Sequence, residues 1–110
     1  MFIAVQHQIR DPQKWEQASK HVMACIEQDK LPKGLKALMY LPAMDGHKAV
    51  CLWEAESLEK AKSFLERETA QAAKNEYFQV NDATAVGMPG QEQLHNEQDK
   101  RTEEAMHLAV

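Results

Sequence analysis

One stretch decides the fold: residues 35–55, LKALMYLPAMDGHKAVCLWEA, predict two strands and a turn. Leu35 to Leu41 alternates in the manner of a strand, and His47 to Ala55 is apolar on both faces at its centre. Between them, Asp45-Gly46 favours a tight turn because glycine adopts positive φ at little cost. A strand that is apolar on both faces is typically central in its sheet. The segment therefore predicts a hairpin in the middle of a sheet.

A strand and a helix precede this hairpin, and a helix and a strand follow it. Alternation predicts a first strand over Phe2 to Ile9, and Asp11-Pro12 starts a helix that ends near Gln28 to Lys30. Ser57 caps the second helix, and a fourth strand is predicted over Tyr77 to Val86. The order β-α-β-β-α-β predicts an α+β, ferredoxin-like fold, with a four-stranded antiparallel sheet and both helices on one face.

Two helices cover only one face of such a sheet, yet the predicted strands are apolar on both faces. An exposed apolar face of several hundred Å² is rare in monomers. We therefore expect a second copy of the chain to cover it, since two-fold homodimers are the commonest oligomers. Two facing sheets would form an eight-stranded, barrel-like dimer whose interior has room for a small ligand.

The net charge of −4 is unevenly distributed along the 110 residues. Residues 1–87 carry a net charge of −1, and residues 88–110, after a Gly/Pro-rich breaker, carry −3. Apart from its last six residues, the second segment has too few large apolar side chains to build a core. We therefore predict a barrel domain over 1–87 and an acidic tail over 88–110, disordered or forming a peripheral helix.

Composition and motifs exclude several classes of protein. The acidic balance argues against a dedicated nucleic-acid binder, and no apolar stretch approaches the ~20 residues that a membrane span needs. Two cysteines are too few for a disulfide scaffold, and the N-terminus lacks a signal-peptide pattern, so we expect a cytoplasmic protein. Phosphate-binding glycine loops, nucleophile elbows and zinc-protease motifs are missing, so no cofactor is predicted.

The chain resembles the dimeric α/β-barrel superfamily in its element order and in the strand end Trp53-Glu54-Ala55 before the helix start Glu56-Ser57-Leu58. That superfamily includes antibiotic-biosynthesis-type monooxygenases, small decarboxylases and cyclases, and stress-responsive barrel proteins. The resemblance covers residues 1–87 and implies a ferredoxin-like fold that pairs as a dimer. Monooxygenase-type members carry an acid and a tryptophan where this chain has Trp53 and Ala55. The segment Asn75 to Phe78, followed by Ala85 to Pro89, is similar to that of small uncharacterised bacterial barrel proteins.

Four side chains are candidates for a site. His7 is in phase with the apolar residues of the first strand, where a neutral imidazole suits a general base or a metal ligand. We expect Glu54 beside it, on the interpretation that the first and third strands are adjacent and parallel. Trp53 and Tyr40 are candidate walls for a ligand. The structural alternatives are a buried, hydrogen-bonded histidine, a surface acid and two packing aromatics.

Two functions remain open on the sequence. The first is a barrel that binds or transforms a small apolar or aromatic molecule, with His7 as base and Glu54 as its partner. The alternative is a non-enzymatic homodimer, either structural or metal-responsive through His7, His21 or His47. His21 and Cys25 lie one helical turn apart, but two ligands alone do not make a zinc site. A further hypothesis is that the acidic tail recruits a partner protein.

Overall fold

A computed structural model describes residues 1–89. The elements are β1 (Phe2–Ile9), α1 (Pro12–Glu27), β2 (Leu35–Pro42), β3 (Lys48–Ala55), α2 (Leu58–Thr69) and β4 (Ala73–Gln79). The strands lie in the order β2-β3-β1-β4, and every neighbouring pair is antiparallel. The predicted α+β, ferredoxin-like fold is therefore confirmed.

The ends of both helices are fixed by short-range hydrogen bonds. The carboxylate of Asp11 accepts from the backbone N–H of Lys14, and the hydroxyl of Ser57 accepts from that of Lys60. At the end of α1, the N–H of Lys30 donates to the carbonyl of Cys25, five residues earlier, which is the wider-spaced of the two hydrogen bonds of a Schellman motif. Asp29 stands in that motif at φ 54°, a position that glycine usually occupies.

The core lies between the two helices and one face of the sheet. Its main cluster of buried side chains comes from β1, β2, β3, α1 and α2: Ile3, Val5, Val22, Leu35, Cys51, Trp53, Ala55, Ala61, Phe64 and Leu65. A second cluster comprises Ile9, Trp15, Ala49, Ala72 and Ala73. Both helices thus cover the same face, as the sequence predicts.

The opposite face of the sheet, here called the open face, is covered by neither helix and carries apolar side chains, of which Ala4 and Leu52 are buried. Val50 at the centre of β3 is 40% exposed, Leu41 of β2 is 54% exposed and Phe78 of β4 is 50% exposed. In the register of the strands, these residues lie on the same face of the sheet as Ala4 and Leu52. The dimer that the sequence predicts would use this face, and its formation stays a prediction.

The prediction for the fourth strand is wrong in its bounds. The strand begins at Ala73 and ends at Gln79, whereas the sequence pattern placed it over Tyr77 to Val86. Alanine has little strand propensity, so Ala72 and Ala73 give no strand signal. The strand nevertheless starts here because both alanines are buried, and the carbonyl of Ala72, just before the strand, accepts from the backbone N–H groups of Arg10 and Asp11 just after β1.

The ferredoxin-like unit spans Met1–Val80. Residues 81–89 belong to a second unit and form turns, with Gly87 at φ 79°. The division predicted between residues 87 and 88 stays a prediction, and the tail from residue 90 onward lies outside the described residues. In residues 1–89, no helix is both long and apolar enough to cross a membrane.

Candidate functional site

A cavity of about 220 Å³ lies between the strands β2 and β3 and the two helices, with Leu65 and Thr69 of α2 in its lining. One face of α1 lines it, with side chains spaced by three or four residues from Trp15 to Ile26. Tyr40, Cys51 and Trp53 line it from the sheet. Tyr40 is 40% exposed, so it stands at the rim, whereas Cys51 and Trp53 are buried.

A series of four hydrogen bonds links Cys51 in the cavity wall to Leu65 of α2, which lines the same cavity. The Cys51 sulfur lies 3.1 Å from Nε2 of His7, and Nδ1 of His7 lies 2.6 Å from Oδ1 of Asn75. The Asn75 amide nitrogen donates to Oγ1 of Thr69 over 2.8 Å. The Thr69 hydroxyl donates to the carbonyl of Leu65 over 2.6 Å. These four hydrogen bonds therefore connect β3, β1, β4 and α2.

The donor and acceptor roles along these hydrogen bonds follow from the carbonyl of Leu65 at their end. The carbonyl of Leu65 can only accept, so the Thr69 hydroxyl donates to it and accepts from the Asn75 amide. The oxygen of Asn75 then faces His7, and Nδ1 of His7 carries a proton and donates it. In the neutral ring Nε2 is the acceptor, so the Cys51 thiol donates to it.

Burial keeps both members of the Cys51–His7 pair neutral. Burial lowers the pKa of His7 below its ordinary value, although the hydrogen bond to Asn75 and the charge of Glu66 oppose this. Burial also raises the pKa of the Cys51 thiol to about 12, and a weak hydrogen-bonding interaction with the Trp53 side chain opposes this. At neutral pH the pair is therefore a thiol and an imidazole, and not a thiolate and an imidazolium.

Two tryptophans form walls of the cavity and differ in their polar partners. The Trp15 ring packs on His7 with ring centroids 4.8 Å apart, and its N–H donates to the hydroxyl of Tyr40 over 3.1 Å. The Trp53 ring meets the edge of Phe64 at 6.0 Å. The indole N–H of Trp53 is buried and makes no hydrogen bond of good geometry in the described residues, although it interacts weakly with the Cys51 thiol. A buried donor without an acceptor is uncommon and costs stability.

Glu54 does not lie beside His7, so the predicted pair is wrong. β1 and β3 are antiparallel, because the turn between β2 and β3 reverses the chain. Glu54 pairs with Phe2, whereas His7 pairs with Ala49 at the other end of the two strands. Glu54 also shares the open face with Phe2 and is exposed, whereas His7 is 2% exposed on the helix face.

The other predicted residues reach the cavity or its wall. Tyr40 and Trp53 line the cavity, and His7 lies behind Cys51 and beneath Trp15. The sequence did not predict Cys51 as a site residue; the alternation of β3 is the signal that places it on the helix face.

Asn75 was also missed, and so was Thr69. Asn75 precedes the predicted start of the fourth strand, so its face could not be assigned. Its register partner in β1 is His7.

The described residues include no group of three or more His, Cys, Asp or Glu side chains that could hold a metal ion. Two potential metal ligands lie close to His21: its Nε2 is 3.4 Å from a carboxylate oxygen of Glu68 and 3.8 Å from the sulfur of Cys25. His47 lies in the turn before β3 and is exposed. A metal-responsive role therefore has no support from the described geometry.

Comparisons with known proteins give a similarity of fold only. No protein-family model matches the chain, and no curated protein matches it. Among solved structures, the chain is similar to one described as "Putative antibiotic biosynthesis monooxygenase from Nitrosomonas europaea". The match covers 74% of this chain and 99% of that one, at 13% identity and a TM-score of 0.46. At these values no activity is carried over, and the function is argued from the cavity.

Proposed function

We propose that the chain binds a small aromatic or apolar molecule in the cavity beneath α1. The observation that carries the proposal is the cavity itself: an apolar space walled by Trp15, Trp53 and Tyr40, with one thiol and few other polar groups. Ligand sites are typically concave and apolar with a few polar groups that fix orientation.

The size of the cavity limits the ligand. Sites for drug-sized molecules measure roughly 300–1,000 Å³, and this one is about 220 Å³. We therefore propose a ligand of one or two rings, without a long polar tail. Tyr40 and Trp53 contact it, and the Cys51–His7 pair supplies the group that exchanges a proton with it. No organic cofactor is part of this proposal.

The homodimer is part of the same proposal. A second copy covers the open face of the sheet, where Val50 and Phe78 are exposed. The ligand cavity lies on the other face, under α1, so each protomer carries its own cavity. The described cysteines, Cys25 and Cys51, are both free thiols, which fits a reducing compartment such as the cytoplasm.

Tryptophan fluorescence tests the proposal directly, because both tryptophans of the chain line the cavity. Titration with phenol, indole and cyclohexanol should give saturable quenching or a spectral shift with at least one ligand. Ala37→Leu places a larger side chain in the cavity wall and should weaken that binding.

The matched control is Ala43→Leu, in the exposed turn between β2 and β3, which should bind as the unmodified chain does. Equal binding by both variants, or no saturable response to any of the three ligands, contradicts the proposal.

A further inference from the structure

We propose that Cys51 forms covalent adducts with small, planar α,β-unsaturated carbonyl compounds that enter the cavity, and that His7 takes up the thiol proton. The inference rests on the proposed binding function and names the chemical class that would react there. It concerns a thiol that the sequence pattern assigns only to the core.

Cys51 has the surroundings of a reacting thiol. Cys51 lines the cavity, its sulfur lies 3.1 Å from Nε2 of His7, and the ring is held by Asn75 through the other nitrogen. A thiol, an imidazole and an amide in this order form an arrangement that activates cysteine in unrelated folds. Thr69 in turn fixes the orientation of the Asn75 amide, so the oxygen that accepts from Nδ1 of His7 is held in place.

A second observation points to the carbonyl group of the ligand. Trp53 is 97% buried and lines the cavity; its indole N–H makes no hydrogen bond of good geometry in the described residues and lies close enough to Cys51 to lower the pKa of its thiol. A carbonyl oxygen bound beside Cys51 would accept this hydrogen bond. The same donor would stabilise the negative charge that develops on that oxygen as sulfur adds to the double bond.

The reaction is a conjugate addition that balances without another reactant. The sulfur of Cys51 forms a bond to the β-carbon, and the π electrons of the carbon–carbon double bond move to give an enolate. The thiol proton passes to Nε2 of His7 and then from the imidazolium to the enolate. The product contains all atoms of thiol and ligand, so its mass is their sum.

Transfer to His7 is needed because the thiol does not ionise by itself near neutral pH. Burial raises the pKa of Cys51 to about 12. The titratable groups that face the pair are Glu66 of α2, whose charge favours a protonated His7, and Tyr77 of β4. From α1, the Trp15 ring contacts His7, and the Trp15 N–H donates to the hydroxyl of Tyr40 in β2. A cation formed on His7 is therefore stabilised by Glu66.

N-phenylmaleimide is a suitable probe because it joins an aromatic ring to an unsaturated carbonyl. The full chain is treated with it, and peptide mapping by mass spectrometry follows Cys51 and Cys25 separately. Cys25 is the internal control, since it lies outside the cavity lining. We expect the rate at Cys51 to saturate with probe concentration and the rate at Cys25 to rise linearly. A linear rate at Cys51, or labelling of Cys25 alone, overturns the proposal.

The pH profile separates assisted from unassisted reaction without any variant. A thiol that reacts as a free thiolate speeds up about tenfold per pH unit below its pKa. Since His7 accepts the proton of Cys51, the rate at Cys51 should instead level off once His7 is neutral. A continued tenfold rise per unit up to pH 9 overturns the role of His7.

The variant His7→Gln keeps a polar side chain at this position and removes the base. It should slow labelling of Cys51 by about 10²-fold, the lower end for general base catalysis, and leave Cys25 unchanged. His21→Gln is the matched control, because His21 contacts Cys25 and not Cys51. Unchanged labelling of Cys51 in folded His7→Gln protein contradicts the proposal.

Phenol keeps this test distinct from that of the binding function. Saturable phenol binding without adduct formation at Cys51 overturns the covalent proposal and leaves the binding function intact. Failure of both phenol binding and labelling overturns both.

Discussion

His7 and Asn75 are joined by a 2.6 Å hydrogen bond between Nδ1 of the ring and Oδ1 of the amide. The bond joins neighbouring strands, since the two residues are register partners in β1 and β4. It fixes both the orientation and the tautomer of the histidine, and so determines which nitrogen meets Cys51.

The buried histidine makes stability depend on pH. Burial lowers the pKa of His7 in the folded chain, so the unfolded chain binds more protons as the pH falls below about 6.5. The free energy of unfolding should therefore decrease between pH 7.5 and 5.5, by at most about 1.4 kcal/mol per pH unit. Urea unfolding across this range measures it.

The variant His7→Gln should flatten this dependence. His47→Gln, which removes an exposed histidine from the turn before β3, should keep it. If His7→Gln shows the same slope as the unmodified chain, the protonation of His7 does not limit stability.

Thr69 should matter for stability through one oxygen atom. Thr69→Val keeps the shape of the side chain but leaves the Asn75 amide without its acceptor. We expect a loss of about 1–3 kcal/mol in the free energy of unfolding, measured by urea denaturation. The matched control is Thr84→Val, an exposed threonine that should give almost no change. Equal effects of the two variants would show that the hydrogen bond contributes little.

The open face should be the dimer interface. Val50→Lys places a charge at its centre in both copies, so a dimer built on this face should dissociate into monomers. Light scattering coupled to size-exclusion chromatography measures the mass. Met44→Lys, in the exposed turn beyond the sheet, should leave the dimer unchanged. A monomeric unmodified chain, or a Val50→Lys variant that is still dimeric, rules out this interface.

The end of α1 offers a stabilising substitution. Asp29 adopts φ 54°, where a side chain clashes with its own backbone and glycine does not. Asp29→Gly should raise the free energy of unfolding by about 0.5 kcal/mol, after the entropy cost of glycine. Lys30→Gly carries the same cost at a residue without positive φ, so it should lower stability. Thermal unfolding of the two variants compares them, and the opposite order would contradict the prediction.

The fold could be predicted because its signals are local. Alternation, the capping residues Asp11 and Ser57 and the Asp45-Gly46 turn mark five of the six elements within a residue or two. The sixth, β4, was placed too late, because it begins with the buried Ala73 and continues through the polar residues Lys74, Asn75 and Glu76. Small residues pack closely, but they give no periodic pattern from which a strand can be recognised.

The site could be predicted only in part because it depends on relations between strands. The phase of β1 shows that His7 is buried, and this follows from β1 alone. Its partners Cys51 and Asn75 follow only from the pairing of β1 with β3 and β4. The wrong strand direction between β1 and β3 placed Glu54 at the end where Ala49 lies. Antiparallel pairing inverts which strand ends are neighbours, so one wrong direction changes the whole set of candidate partners.

The chain of hydrogen bonds that ends at Leu65 has one further consequence. A proton that leaves Cys51 can move to His7, but it can go no further, because the Asn75 amide is not a base. The next bond, from Asn75 to Thr69, is already donated by the amide and offers the proton no acceptor. The imidazole therefore stores a single proton and cannot export it to solvent along this route. Such a reservoir suits reactions that return the proton to the same bound molecule, such as additions and isomerisations. It does not suit reactions that release acid with every turnover.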